Sequence, residues 1–188
     1  MNIIILGRQG SGKSTQAKLL AEKFGFCYIS SGEIARQIGK LDDDEGKLVQ
    51  QALDRGELIA SDILFQHIKR VLASPQCEKG FVLDGYPRDK VQLELLELFL
   101  QDKGQKVDEV VYIDINEELV ISRLLERAKI EQREDDTPEI IKRRLEIYNQ
   151  ETEQIVDYYR NMGRLIVVDG SFSIETVHQE ILRKLTLE

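Results

Sequence analysis

The chain has 188 residues, 41% apolar and 32% charged with only 3 prolines, a profile of one globular domain and not of a disordered or fibrous protein. Its formal net charge is -8 and its isoelectric point about 5.0, so the average surface repels polyanions, which argues against a nucleic-acid groove and leaves any anion site to a local concentration of Arg and Lys. No apolar stretch approaches the ~20 residues that span a bilayer, and no signal-like segment opens the chain, so a cytoplasmic protein without a membrane partner is expected.

The first predicted element is a buried strand, Asn2-Ile3-Ile4-Ile5-Leu6. It runs into Gly7-Arg8-Gln9-Gly10-Ser11-Gly12-Lys13-Ser14, which fits G-x-x-x-x-G-K-[ST]. Glycines let such a loop curl until successive N–H groups face one anion. The next helix adds the partial positive charge of its N-terminus, and Lys13 reaches the outer phosphates. That helix is predicted from Ala17, Leu20, Ala21 and Phe24, which keep the i, i+3, i+4, i+7 spacing of one apolar face. The loop alone leaves open a motor, a GTPase switch, a nucleotide-gated binding module and a small-molecule kinase.

A second strand is expected over 26–29. The crossover from Ser30 to Pro75 is longer than one helix requires and reads as several short helices forming a small insert. Within it the acidic run Asp42-Asp43-Asp44-Glu45 reads as a solvated loop. Cys27 and Cys77 are far apart in the chain and outside any Cys-x-x-Cys pair, so buried or neutral thiols are expected instead of a zinc or redox motif. His67 and His178 each fall in a helical pattern and read as surface or half-buried side chains.

A third strand over 80–84 leads into Asp84-Gly85-Tyr86-Pro87-Arg88. Asp84 ends a buried strand where a magnesium-facing carboxylate of a P-loop enzyme stands, Gly85 permits close backbone approach, and Arg88 projects into the same cleft. A fourth strand is predicted over 107–115. Beyond it Arg123 and Arg127 lie four apart on one helix face, and 128–136 reads as a short charged connection between two helices. A long helix over 139–160 follows from Ile141, Leu145, Tyr148, Thr152, Ile155 and Tyr159, with Arg144 at the edge of that stripe. Pro138 stands just ahead of it, and Asp136 or Thr137 can cap it. A fifth strand over 164–169 and a helix over 174–185 complete the chain. Near-continuous Val- and Ile-rich runs separated by helices are the pattern of a parallel sheet covered on both faces, so the class is α/β.

With its motifs in this order, the chain resembles the adenylate kinases, a family of nucleoside monophosphate kinases, over essentially its whole length. "GRQGSGKSTQA" is similar to the family's phosphate loop, "ISSGEIAR" to its acceptor-binding helix, "GELI" to its acceptor loop and "DGYPRDKVQ" to its acceptor and magnesium segment. "ISRLLERAKIEQREDD" resembles the surroundings of the lid and "IKRRLEIY" the long helix. The resemblance implies conversion of ATP and AMP to two ADP with Mg²⁺ and without zinc. It implies a P-loop NTPase-type five-stranded parallel sheet flanked by helices in a single kinase domain over 1–188, with an NMP-binding insert over 30–59 and a short lid over 127–136. A monomer whose partners are ATP, AMP and ADP is expected.

By the same resemblance Gly10, Ser11, Gly12, Lys13, Ser14, Thr15, Arg123, Arg127, Gly170 and Phe172 would bind ATP. Ser31, Arg36, Glu57, Leu58, Ile59, Gly85, Tyr86, Pro87, Arg88 and Gln92 would hold AMP, and Arg133 and Arg144 would bridge the phosphates of both nucleotides. Lys13, Arg88, Arg127, Arg133 and Arg144 would be catalytic. Asp84 and Ser14 would hold the metal, directly or through water.

Elementary chemistry agrees. Phosphoryl transfer is mostly positioning and charge stabilisation, which calls for cations around the transferring group and not for a reactive nucleophile. An acceptor phosphate, with a second pKa of about 6, is already an anion and needs no general base, whereas a sugar hydroxyl would want a carboxylate nearby. The amide of Gln92 can pair with an adenine edge, which favours AMP over UMP or CMP. The chain departs from the family at Gln9 and Ala60, where proline is common, at Ser14 and Gln132, where glycine is common, and at Ser31, where threonine is usual. Helix-end hinges are expected to absorb lid motion. The competing readings are a UMP- or CMP-preferring kinase, a kinase acting on a metabolite hydroxyl, and a weakly catalytic sensor of adenine nucleotides. The arginine set argues against the sensor, which has no need of arginines on the transferring group.

Overall fold

The computed structural model describes residues 1–131 and 137–185, with all their side chains except those of 127 and 129–131. The Val- and Ile-rich runs form β1 (Asn2–Leu6), β2 (Cys27–Ser30), β3 (Phe81–Asp84), β4 (Glu109–Asp114) and β5 (Leu165–Asp169). These are the expected strands with ends moved by up to two residues. They make one sheet in the order β2-β3-β1-β4-β5, and every pairing is parallel. Successive β1 side chains go to opposite faces, as the pleat requires. Ile4 and Leu6 join the larger core and Ile3 and Ile5 the smaller one.

The smaller core lies under α1 (Lys13–Phe24) and α9 (Ile174–Lys184), which contribute Ala17, Leu20, Val177 and Ile181. The opposite face is covered by α2 (Ser31–Ile38), α3 (Asp44–Arg55), α4 (Ser61–Leu72) and α5 (Lys90–Asp102). A third cluster joins α6 (Glu117–Glu131) to α7 (Pro138–Ile147) through Val120, Leu124, Ile141 and Leu145. α8 (Glu153–Asn161) returns to the large core with Ile155, Val156 and Tyr159. Among the described residues no helix is long and apolar enough to cross a membrane.

The structure differs from expectation in four places. The helix expected over 139–160 is α-helical at both ends but winds as a π-helix over Tyr148–Thr152, and Thr137 caps it by accepting the Ile140 N–H. The connection expected over 128–136 is helical through 131, because α6 runs on to Glu131. Residues 132–136 lie outside the described residues. The acidic run is a helix start instead of a loop. Asp43 accepts the Gly46 N–H at 2.7 Å, while Asp44 and Glu45 sit in the first turn of α3, where the helix dipole favours negative charge. Finally, Cys27 and Cys77 form a disulfide and are not separate thiols. β2 pairs with β3, and the Cys27 N–H donates to Gly80 O at 3.0 Å, which brings the short turn ending at Cys77 alongside and sets the two Cα atoms 4.9 Å apart.

Candidate active site

In the order β2-β3-β1-β4-β5 the chain winds from β1 to the β2 edge and later crosses from β3 past β1 to β4 and β5, so the crevice beyond the C-terminal ends of β1, β3 and β4 is the switch point where α/β sheets bind ligands. The phosphate loop follows β1 here, and Asp84 closes β3 with Ile5 as its β1 partner. The Gly85 N–H continues the pairing by donating to Ile5 O at 3.0 Å.

Gly85 is the meeting point of the site. Its φ is +69°, a left-handed conformation, and a Cβ there would stand 3.2 Å from Arg88 Nη2 and 3.3 Å from both Lys13 Cε and Ser31 Oγ. A side chain would therefore fill the space in which three of the expected site residues converge. The turn continues through a cis Tyr86–Pro87 peptide. Arg88 Nε donates to Gly85 O at 2.7 Å, and the Thr152 hydroxyl in the π segment donates to Arg88 O at 3.0 Å.

A cleft of about 1000 Å³, its open mouth included, is lined by Lys13, Ser31, Arg36, Glu57, Leu58, Ile59, Gly85, Arg88, Gln92 and Arg144. Ten of the expected site residues, drawn from α1, α2, the loop after α3, the turn after β3, α5 and α7, thus face one space. Four of them are cations in a chain of net charge -8. Their mutual strain is visible at Arg88, whose pKa is lowered first by burial and then by Arg144 and Arg36, while Asp84 pulls the other way. An arginine keeps its proton regardless, so the arrangement favours whatever anion relieves the repulsion.

Gln92 and Asp84 are buried side chains here, each with an unused polar atom. Gln92 is 1% exposed; its Oε1 accepts the Arg88 N–H at 2.9 Å, which fixes the orientation of the amide and leaves Nε2 without a partner. Asp84 is 2% exposed; Oδ2 accepts the Tyr28 hydroxyl at 3.2 Å and Oδ1 has no partner. An unsatisfied buried polar atom costs about 1–3 kcal/mol. A ligand that supplies the missing partner recovers that cost.

The remaining expected residues are placed otherwise. Tyr86 is fully buried, stacks on Phe65 at 6.4 Å between centroids and donates its hydroxyl to Gln92 O at 3.2 Å, so it supports the wall from the core side. Pro87 is buried in the same turn. On the far side of the phosphate loop, Arg123 Nη1 donates to Gly170 O at 2.9 Å, bringing two expected ATP residues together, and Phe172 nearby is 57% exposed. Ser14 and Thr15 are exposed in the first turn of α1, Gly10 and Gly12 line the bend before it, and Ser11 is buried with its hydroxyl unpartnered. The Arg127 side chain and Arg133 lie outside the described residues, as does Gln132. Among the described residues no group of three or more His, Cys, Asp or Glu is arranged to hold a metal ion.

Arg8, Tyr28 and Thr152 are contributors that were not legible beforehand. Arg8 occupies a variable position of the loop motif, yet its Nη1 donates to Ile115 O and its Nη2 to Asn149 Oδ1 and Glu153 Oε1, each at 3.3 Å, with the guanidinium 5.6 Å from the Tyr148 ring centre. Gln9 Oε1 accepts from Arg144 Nη1 at 3.5 Å, so both variable loop residues reach the α7–α8 segment. Tyr28 and Thr152 carried no signal beyond strand and helix periodicity.

A family model described as adenylate kinase matches residues 5–164. Among relatives, an adenylate kinase of Stenotrophomonas maltophilia is 39% identical over 182 residues, covering 97% of each chain. One of Archaeoglobus fulgidus is 36% identical over 208 residues and 96% of each chain. One of Caldicellulosiruptor saccharolyticus is 34% identical over 215 residues and 100% of each.

Proposed function

Since the chain belongs to the adenylate kinase family, we propose that its cleft receives AMP and holds the AMP phosphate against the terminal phosphate of ATP. The enzyme is an ATP:AMP phosphotransferase that yields two ADP. The observation that carries the division of labour is the convergence of Lys13, Arg36, Arg88 and Arg144 on one cleft whose deep wall bears the unpaired Gln92 Nε2.

In this reading Arg36, Arg88 and Arg144 take the acceptor phosphate and Lys13 takes the transferring group. The cations stabilise charge spread over the equatorial oxygens, and the acceptor is already ionised. Gln92 Nε2 donates to a ring nitrogen of the adenine, and Ser31, whose hydroxyl proton goes to Asp84 O or Gly85 O, offers its lone pairs beside it. Gly10 to Thr15, Arg123, Gly170 and Phe172 form the ATP side. Arg127 and Arg133 belong to the short lid over 127–136, and the insert over 30–59 is the acceptor-binding unit. Mg²⁺ bound with ATP neutralises phosphate charge. Asp84, through its unpartnered buried oxygen, and Ser14 are the residues that would hold it, directly or through water. The absence of cysteine from 127–136 supports a lid without zinc.

The test is ADP formation from Mg·ATP with AMP, UMP, CMP, GMP and dAMP, repeated for Gln92→Leu. AMP is expected to lead the panel. Gln92→Leu should raise the KM for AMP roughly two- to tenfold, the worth of one hydrogen bond, with the KM for ATP unchanged. Higher kcat/KM with UMP or CMP would replace AMP as acceptor. ADP formation with none of them would sink the enzyme reading.

A further inference from the structure

We propose that Tyr28 is a positioning residue that sets the orientation of the Asp84 carboxylate and so governs how tightly the enzyme holds metal-complexed nucleotide. The proposal rests on the reading of Asp84 as the metal-facing carboxylate. In the register of β2 on β3, Tyr28 stands beside Val82 and Ser30 beside Asp84. Residues two apart on a strand share a face, so Tyr28 and Asp84 are diagonal neighbours on that face of the sheet. The Cα offset along the strands is about 6.6 Å at ~3.3 Å per residue, a gap that tyrosine can bridge and serine or threonine cannot. The Tyr28 hydroxyl does bridge it, donating to Asp84 Oδ2 at 3.2 Å.

The consequence lies in the other oxygen. A carboxylate at a strand end can turn about its terminal torsion, which has broad minima. With Oδ2 held by the hydroxyl, the carboxylate plane is fixed and Oδ1 is left as the buried oxygen without a partner, next to the start of the phosphate loop. Among the described side chains, the Tyr28 hydroxyl is the one recorded donor to this carboxylate. The ring is itself held. Lys18 Nζ lies 5.3 Å from its centre and pairs with Glu33 at 3.0 Å, and the ring edge packs against the core that contains Val82. The same hydroxyl also meets the Ser30 side chain, the register partner of Asp84, so the brace runs along the end of β2 to the carboxylate.

The experiment measures ADP binding by isothermal titration calorimetry, once with excess Mg²⁺ and once with EDTA. It compares wild type, Tyr28→Phe, Asp84→Asn and the double variant, with the melting temperature of each recorded. The phenylalanine ring keeps the packing, so Tyr28→Phe should fold. It is expected to weaken binding in Mg²⁺ about five- to tenfold, the scale of one net hydrogen bond, to leave binding in EDTA within about twofold, and to add nothing once Asp84 is Asn. An unchanged Mg²⁺ dependence, or an equal loss with and without metal, would overturn the positioning role. Asp84→Asn without effect on the Mg²⁺ dependence would overturn the underlying metal reading instead.

Discussion

Each cation in the cleft is an ordinary arginine or lysine until its neighbours are counted. Arg88 stands within reach of the repulsion of Arg144 and Arg36, and its guanidinium is anchored by Gly85 O, so it meets a phosphate without having to be collected from solvent. Pre-organised charge of this kind acts on the transition state more than on substrate binding. Lys13→Ala and Arg88→Ala are therefore expected to lose kcat by roughly two to five powers of ten, by analogy with arginine fingers. Steady-state kinetics decides it, since a change confined to KM would show that these residues only bind. At this scale Lys13, Asp84, Arg88 and Gln92 were legible because each sits at a fixed offset from a glycine or proline that shapes its turn. Tyr28, Arg8 and Thr152 were not. Their roles depend on a strand register, on a helix arriving from 141 residues further along, and on a backbone carbonyl across the cleft.

Among the elements, the insert is fitted to the long helix at Gly56, the αL residue that ends α3. A Cβ there would stand 3.1 Å from Ile140 Cγ2 and 3.3 Å from Arg144 Cγ, and φ is +67°. Gly56→Ala should destabilise the protein by about 1–2 kcal/mol in a denaturant titration. It should also lower kcat by displacing Arg144; normal stability and normal turnover together would contradict that fit. The disulfide links β2 to the turn before β3 and closes a loop with a sequence separation of 50. In the chain-entropy account such a link is worth about 4 kcal/mol, so reduction is expected to lower Tm by about 10 °C. Alkylation without reductant, read by mass spectrometry, should find both cysteines blocked, and two labelled thiols would show the bond absent. Strand and helix identities were legible from hydrophobic period, because burial on one or both faces writes itself into residue choice. The π-helical turn was not: the step of four from Tyr148 to Thr152 suits α and π winding alike, and only packing against Arg88 and Arg8 distinguishes them.

For the whole molecule, a site shared between a rigid sheet and peripheral helices implies that nucleotide binding orders the periphery. Hydrogen exchange measured with ATP and AMP bound should show new protection over 30–59 and 127–136, with β1, β3 and β4, already buried, little changed. Uniform protection, or none in those two segments, would count against the insert and lid as separate closing units. Helix-end hinges remain the expected source of lid motion, and closed and open forms differing only within 128–136 would contradict that. The sequence by itself determined the fold class, the phosphate-loop motif and the turn from Asp84 to Arg88, because these depend on local period, glycine placement and contiguous motifs. Only the tertiary structure decided which partner each side chain finds. Parallel pairing of β2 with β3 joined Cys27 to Cys77 and set Tyr28 beside Asp84, and the return of α7 and α8 across the sheet brought Arg144 to Gln9 and Glu153 to Arg8. Contacts of that separation arise from the packing of whole elements, and nothing in the local sequence around either partner encodes them.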